Sequence, residues 1–112
     1  METLSYHDFE RVAIHSGTVV KVELFSQARK LAYKVWVDFG TTIGVLQTSA
    51  QVTKYYTPET LVGKQVLGCI NLGEKTIAGF MSQFLLLGFS DGADGIYLAT
   101  IDPQAPNGSK IC

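Results

Sequence analysis

Hydrophobic and polar positions alternate with a period of two along two long stretches of this 112-residue chain, residues 14–24 and 32–39. In the first stretch, one face carries Thr18, Val20, Val22 and Leu24, and the other carries Val19, Lys21 and Glu23. In the second, one face carries Tyr33, Val35, Val37 and Phe39, and the other carries Lys34, Trp36 and Asp38. Because neighbouring side chains of a strand point to opposite faces, this period predicts two β-strands.

Shorter apolar runs bounded by glycine turns predict further strands. They cover residues 43–46, 66–72, 77–81, 84–87, 96–100 and 110–111, with a loop over 48–56. Ser5 predicts the cap of a helix over 6–12, and Thr57-Pro58 predicts a helical turn that ends at Gly63. A helical interruption between the third and fourth of several short strands favours a small closed barrel. We therefore predict one domain over residues 1–112, all-β with short helices: a five-stranded OB-type barrel with N- and C-terminal extensions.

Composition limits the partners that this chain can take. Hydrophobic residues make up 46% and charged residues 17% of the chain, which excludes intrinsic disorder. So few charges on a small apolar domain indicate that a second copy covers part of its surface. The formal net charge is -1. Nucleic-acid binding therefore requires the basic residues to be gathered on one face.

Motifs for catalysis, metal binding or membrane insertion are not found. Cys69 and Cys112 lack metal-ligand spacing, and His7 and His15 have no acidic partner at a suggestive distance. We expect no enzyme activity, no cofactor and no metal. The N-terminus lacks the basic start and the long apolar run of a signal peptide, and no apolar run reaches the length of a membrane span. The sequence predicts a cytoplasmic protein without a membrane span.

The segment at 77–88 places Met81, Ser82 and Gln83 between two strand-like halves. A thioether can lie against a flat ring, and the hydroxyl and amide can donate and accept hydrogen bonds. These three side chains are therefore candidate ligand contacts. The alternative is a polar kink between two core strands, with the side chains satisfying backbone groups.

Three segments resemble the CsaA-type export chaperones, single-domain members of the tRNA-binding OB-fold superfamily that also includes C-terminal domains of some methionyl- and tyrosyl-tRNA synthetases. They read HSGTVVKVELFSQARKLAYKVWVDFG, QTSAQVTKYYTPETLVGKQVLGCINLGEKTIAGFMSQFLLLGF and PNGSKI. The resemblance implies a homodimer, a tRNA-like RNA surface on each barrel, and the holding of unfolded or secretory polypeptides. The chain departs from the superfamily at His15, where many relatives have Arg, and at Phe84-Leu85, where the usual pattern has Gly-Met.

OB barrels bind nucleic acid on one sheet face, with Lys and Arg on the phosphates and planar side chains against the bases. The candidate phosphate contacts are Arg29, Lys30 and Lys34, with Lys54 and Lys75 as further candidates across loops; the alternative is a solvated strand end. The candidates for base edges or 2′-hydroxyls are Ser49, Gln51, Asn71, Ser82 and Gln83, with Met81 against a base. Three roles remain open for Trp36: a platform for a base, a contact to a peptide, or a contact between the subunits of a dimer. Two functions remain: structured-RNA binding, and holding of unfolded polypeptides.

Overall fold

The computed structural model describes all of residues 1–112 and contains two short helices and nine strands. In chain order the elements are α1 (Tyr6–Glu10), β1 (Ile14–Leu24), β2 (Tyr33–Asp38), β3 (Val45–Ala50), α2 (Pro58–Leu61), β4 (Gln65–Cys69), β5 (Lys75–Ile77), β6 (Phe80–Ser82), β7 (Leu85–Leu86), β8 (Gly88–Ser90) and β9 (Ile96–Leu98). The helices begin where predicted, with the side chains of Ser5 and Thr57 accepting hydrogen bonds from backbone N–H groups. Neither helix is long and apolar enough to cross a membrane.

Five strands form one antiparallel sheet in the order β3-β2-β1-β4-β7. The sheet curls until β3 approaches the chain that leads from β6 into β7. There Gln83 N donates to Gln47 O at 2.8 Å, which nearly closes the barrel. The predicted five-stranded OB-type barrel is confirmed.

The barrel interior is filled by the inward faces of β1, β2 and β4, by Leu61 of α2 and by residues of the connecting segments. Its nine-residue cluster comprises Val19, Tyr33, Val35, Val37, Phe39, Val52, Leu61, Val66 and Phe84. Phe39 and Phe84 meet edge to face with ring centroids 5.0 Å apart. The alternation predicted for β2 is confirmed, because its odd-numbered positions are buried and its even-numbered positions are half-buried.

The alternation predicted for β1 is wrong beyond Val19, because the strand contains a β-bulge. Its register against β2 passes from Val19↔Val37 to Lys21↔Trp36 and leaves Val20 without a partner. An extra residue in one strand reverses the faces that follow. Val20 is therefore exposed, whereas Val22 packs against the core.

Three further strand predictions require correction. The third strand covers Val45–Ala50 rather than 43–46, because its polar residues pair with β2 as far as Tyr33↔Ala50. Residues 77–81 are not one strand: β5 and β6 form a hairpin whose two-residue turn is Ala78-Gly79, with φ of 48° and 79°. The predicted strand at 110–111 is a single bridge between Lys110 and His15.

Candidate nucleic-acid interface

Two adjoining depressions lie beside β3 and share Ser49, Gln51 and Ile77. The first has a volume of about 610 Å³ and is lined by Ala28, Arg29, Lys30, Ala32, Ser49, Gln51 and Ile77. The second has a volume of about 600 Å³ and continues along β3 to Lys75, Leu72, Ser82 and Leu85. We call the two together the β3 groove. It brings side chains from four separate parts of the chain to one surface.

The basic candidates differ in their surroundings. Arg29 and Lys30 are exposed and line the groove, and Lys75 lines its second half. Lys34 lies beside Phe25 and Phe80, with its Nζ 4.9 Å and 5.0 Å from the two ring centroids. Lys54 lies elsewhere, because its Nζ is 2.9 Å from Asp91 Oδ2 and 3.2 Å from Asp94 Oδ1.

Ser82 and Gln83 hold the outer edge of β3. Ser82 Oγ accepts from Ser49 N at 2.8 Å, and Gln83 Oε1 accepts from Gln47 N at 3.0 Å. These bonds satisfy two backbone donors that would otherwise be open at a strand edge. The side-chain oxygens of Ser82 and Gln83 thus bond to the backbone, as the alternative interpretation predicted. The Ser82 hydroxyl hydrogen and the Gln83 amide hydrogens keep their capacity to donate to a ligand.

The remaining candidates fall into two places. Met81 is partly exposed on β6, beside the groove. Asn71 lies apart from the groove and fastens the N-terminal segment: its Oδ1 accepts from Ala13 N at 3.0 Å, and its Nδ2 donates to Arg11 O at 2.7 Å. The Asn71 side chain therefore satisfies backbone groups and is not a contact of the groove.

Gln47 is a residue of this surface that the sequence reasoning missed. Its Oε1 accepts from Trp36 Nε1 at 3.2 Å, and its Nε2 donates to Met81 O at 2.9 Å. It thereby fixes the Trp36 ring and ties β6 to β3. A third strand extended to Ala50 would have placed Gln47, Ser49 and Gln51 on one outward face. The alternation of these residues is visible in the sequence, but the predicted strand over 43–46 ends before it.

A second polar cluster fastens the β8–β9 hairpin to the segment after β3. Asp91 Oδ2 accepts from Tyr55 Oη at 2.6 Å and from Lys54 Nζ at 2.9 Å. The Tyr55 hydroxyl first, then the Lys54 ammonium and the Ala93 N–H, hold the pKa of Asp91 well below its usual range. Conversely, the bond to Asp91 raises the pKa of Tyr55 and of Lys54 above their ordinary values. Every bonding group of this carboxylate has a partner, so the cluster is structural.

Residues 14–110 match the family model described as "Putative tRNA binding domain". The chain belongs to this tRNA binding domain family. The tRNA binding domain here is similar to the chaperone CsaA of Bacillus anthracis str. Ames, with 38% identity and a TM-score of 0.93 over 99% of this chain and 100% of that one. It is similar to the CsaA chaperone protein of Picrophilus torridus, with 36% identity and a TM-score of 0.90 over 98% and 100%. The CsaA-type resemblance is thus confirmed.

Longer proteins contain a similar domain. The chain is 34% identical over 108 residues to the methionine–tRNA ligase of Chlorobium chlorochromatii, which is 96% of this chain and 15% of that enzyme. The chain therefore spans less than a fifth of the length of the ligases that it matches.

Proposed function

We propose that this protein binds tRNA or tRNA-like structured RNA along the β3 groove, as a cytoplasmic binding protein without catalytic activity. One observation carries the proposal: Arg29 and Lys30 line the same groove as Ser49 and Gln51. Cationic groups beside hydroxyl and amide groups match the phosphates and 2′-hydroxyls of RNA. The match to the tRNA binding domain family supports the same function.

The residues of the groove, together with the neighbouring Lys34, Met81 and Gln83 outside its lining, divide by the chemistry they offer. Arg29, Lys30 and Lys34 supply phosphate contacts, and Lys75 extends them into the second half. Ser49, Gln51, Ser82 and Gln83 supply donors and acceptors for sugar hydroxyls and base edges. Met81 supplies a polarizable apolar surface for an unstacked base. With a net charge of -1, the chain relies on this local cluster and not on a global field.

Replacement of Lys30 and Lys34 by Glu tests this assignment. A fluorescence-polarisation titration with labelled bulk tRNA should show binding weakened at least tenfold, with a shallower dependence on salt, because two phosphate contacts are lost. Lys64→Glu is the matched control, since Lys64 is a partly exposed lysine that lines neither half of the groove. Equal weakening by the control and the double variant would remove the groove from the proposal.

A second function is favoured by the apolar half of the groove. Leu72 and Leu85 line it and are 65% and 51% exposed, with Ile77 between the two halves. We propose that this half holds apolar side chains of unfolded or secretory polypeptides, as part of an export-related chaperone role. The solved relatives named as chaperones support this role.

Suppression of aggregation tests the second function. At near-stoichiometric ratio the protein should slow the light-scattering rise of a chemically unfolded client. Leu72→Gln with Leu85→Gln should abolish the effect and leave the salt dependence of tRNA binding unchanged, since no charge changes. Suppression no greater than that by an inert protein of equal size would remove the chaperone function.

We also propose that the protein forms a homodimer through its N- and C-terminal extensions. The helix α1 buries no residue, and Leu4 and Tyr6 are each 68% exposed. Lys110 Nζ donates to Glu10 O at 2.7 Å, so the two termini form one surface. Such exposed apolar groups are typical of a surface that another chain covers.

Light scattering coupled to gel filtration should give the mass of a dimer, and Leu4→Asp with Tyr6→Asp should give a monomer. A wild-type monomer at micromolar concentration would contradict the dimer.

A further inference from the structure

Lysines and aromatic rings alternate on the outer face of β1 and β2, where β6 packs against it. We call this set the lysine–aromatic ladder; it consists of Lys21, Trp36, Phe80, Lys34 and Phe25. Lys21 Nζ lies 4.8 Å from the Trp36 ring centroid, and Lys34 Nζ lies 4.9 Å and 5.0 Å from those of Phe25 and Phe80. Phe80 joins the two halves, with centroid distances of 5.8 Å to Trp36 and 5.5 Å to Phe25.

Burial and one hydrogen bond hold rings of the ladder in place. Phe25 is buried, and the Trp36 indole N–H donates to Gln47 Oε1 at 3.2 Å. An ammonium group within about 6 Å of a ring centroid is attracted by the ring face. The rings therefore restrict two side chains that would otherwise sample many rotamers, and they leave the ammonium hydrogens directed away from the ring available for other acceptors.

Glu23 is the acidic residue of the same surface. It lies opposite Lys34 in the register of β1 and β2, and its Oε2 is 3.1 Å from Lys21 Nζ. The Lys21 and Glu23 side chains are 59% and 49% exposed, so the ion pair is open to exchange with an anion from solution. A phosphate oxygen offers the same acceptor chemistry as the carboxylate of Glu23.

We propose that Trp36, Phe80 and Phe25 position Lys21 and Lys34 as paired contacts to RNA phosphates. In the free protein Glu23 forms an ion pair with Lys21, and a phosphate of the bound RNA replaces its carboxylate. This inference rests on the proposed RNA binding and extends its surface from the groove to the ladder. It makes Trp36 a positioning residue and not a base platform. The ring is already approached by Lys21 Nζ and, edge to face, by Phe80.

Titrations with labelled bulk tRNA at about 50 and 200 mM salt test the ladder through its charges. Lys21→Gln should weaken binding about threefold to tenfold and reduce the slope of log affinity against log salt by about 0.7 to 0.9. Glu23→Gln should strengthen binding about twofold to threefold at the lower salt, because the competing carboxylate is gone. Lys64→Gln is the control, because Lys64 also lies over a ring, that of Tyr56 at 5.8 Å, outside the ladder and the groove.

The positioning role is tested by variants that keep every charge. Trp36→Leu should weaken binding severalfold and lower the salt slope, and Trp36→Tyr should restore much of both. Phe80→Leu provides the same test if Trp36→Leu fails to fold, as judged by circular dichroism. Weaker binding by Trp36→Leu with an unchanged slope, together with no effect of Lys21→Gln, would make Trp36 a base contact and overturn the inference.

A second probe separates this inference from the proposed function. Trp36 is the only tryptophan of the chain, so its fluorescence reports on the ladder directly. Inorganic polyphosphate carries phosphates without bases or ribose, and it should change the emission of the wild type more than that of Lys21→Gln. Binding of tRNA that is unaffected by Lys21 and Glu23 changes would overturn the ladder and leave the RNA function standing. A response to polyphosphate without any binding of tRNA would overturn the RNA function and, with it, the role of the ladder toward RNA; no response to either overturns both.

Discussion

Phe39 fills the centre of the barrel because two neighbouring positions have no side chain. A Cβ at Gly68 would lie 2.6 Å from Phe39 Cζ and 2.8 Å from Phe84 Cδ2, and one at Gly17 would contact Val37 and Phe39. Both glycines lie in strands, where the residue normally weakens the structure. Their conformation does not require glycine; the close approach of Phe39 and Phe84 at Gly68, and of Val37 and Phe39 at Gly17, does.

Gly68→Ala should therefore destabilise the protein although it adds only one methyl group. The rings are buried on all sides and have little room to move, so we expect a loss of about 1 to 3 kcal/mol from overpacking. Urea unfolding followed by circular dichroism measures the change. A loss below about 0.5 kcal/mol would show that the Phe39–Phe84 pair can shift to accept the methyl group.

The Asp91 carboxylate gives a second expectation at the residue scale, which depends on pH. Because its folded pKa is lowered, its contribution to stability is complete above the ordinary carboxyl pKa of about 3.9 and is lost as pH falls through the folded pKa. Asp91→Asn should lower the melting temperature at pH 7, and the gap to wild type should narrow below about pH 4. Asp102→Asn is the control, since Asp102 is exposed and lies outside the cluster. A gap that is constant down to pH 2 would refute the assignment.

At the scale of elements, the β5–β6 hairpin carries one conformational cost. Ala78 is the only residue other than glycine with a positive φ, 48°, in the two-residue turn before Gly79. Asn-Gly is the favoured pair for such a turn, and the left-handed region costs most side chains about 1 to 2 kcal/mol. Ala78→Asn should stabilise the protein by up to about 1 kcal/mol in urea unfolding, whereas Ala93→Asn should not. Destabilisation by Ala78→Asn would contradict the turn geometry.

The strands show how far sequence patterns reach. The inward positions of β2 are an unbroken alternation of apolar residues, so their faces were predictable. The boundary of β3 was not, because the polar Gln47 and Ser49 bond to partners 36 and 33 residues away, Gln83 and Ser82. The bulge at Val20 was equally hidden, since an apolar residue there fits either face.

The candidate site shows the same limit. Residue chemistry identified the basic and polar side chains, and the groove unites Arg29 and Lys30 with Ser49 and Gln51. Residue chemistry alone did not place Asn71 outside the groove, where its amide bonds to the N-terminal segment at Arg11 and Ala13. Local sequence does not record which distant backbone lies beside a polar side chain, so such placements require the fold.

At the scale of the whole molecule, function depends on local charge on a nearly neutral protein. The net charge of -1 gives no general attraction for polyanions. In the proposed function, RNA affinity comes from the β3 groove and the ladder, and we expect it to fall steeply with salt. Dimerisation would present two such surfaces to one RNA and raise the apparent affinity when both engage. Leu4→Asp with Tyr6→Asp should therefore weaken tRNA binding about tenfold or more, although these residues lie outside the groove.

The most direct measurement is a filter-binding titration of the wild-type protein with bulk tRNA at low and at moderate salt. We predict binding at micromolar concentration or tighter at about 50 mM salt, weakened at least tenfold at about 200 mM salt. No binding at the lower salt would contradict the RNA function. In that case the changes at His15, Phe84 and Leu85 would have removed it, and polypeptide holding would be the function to pursue.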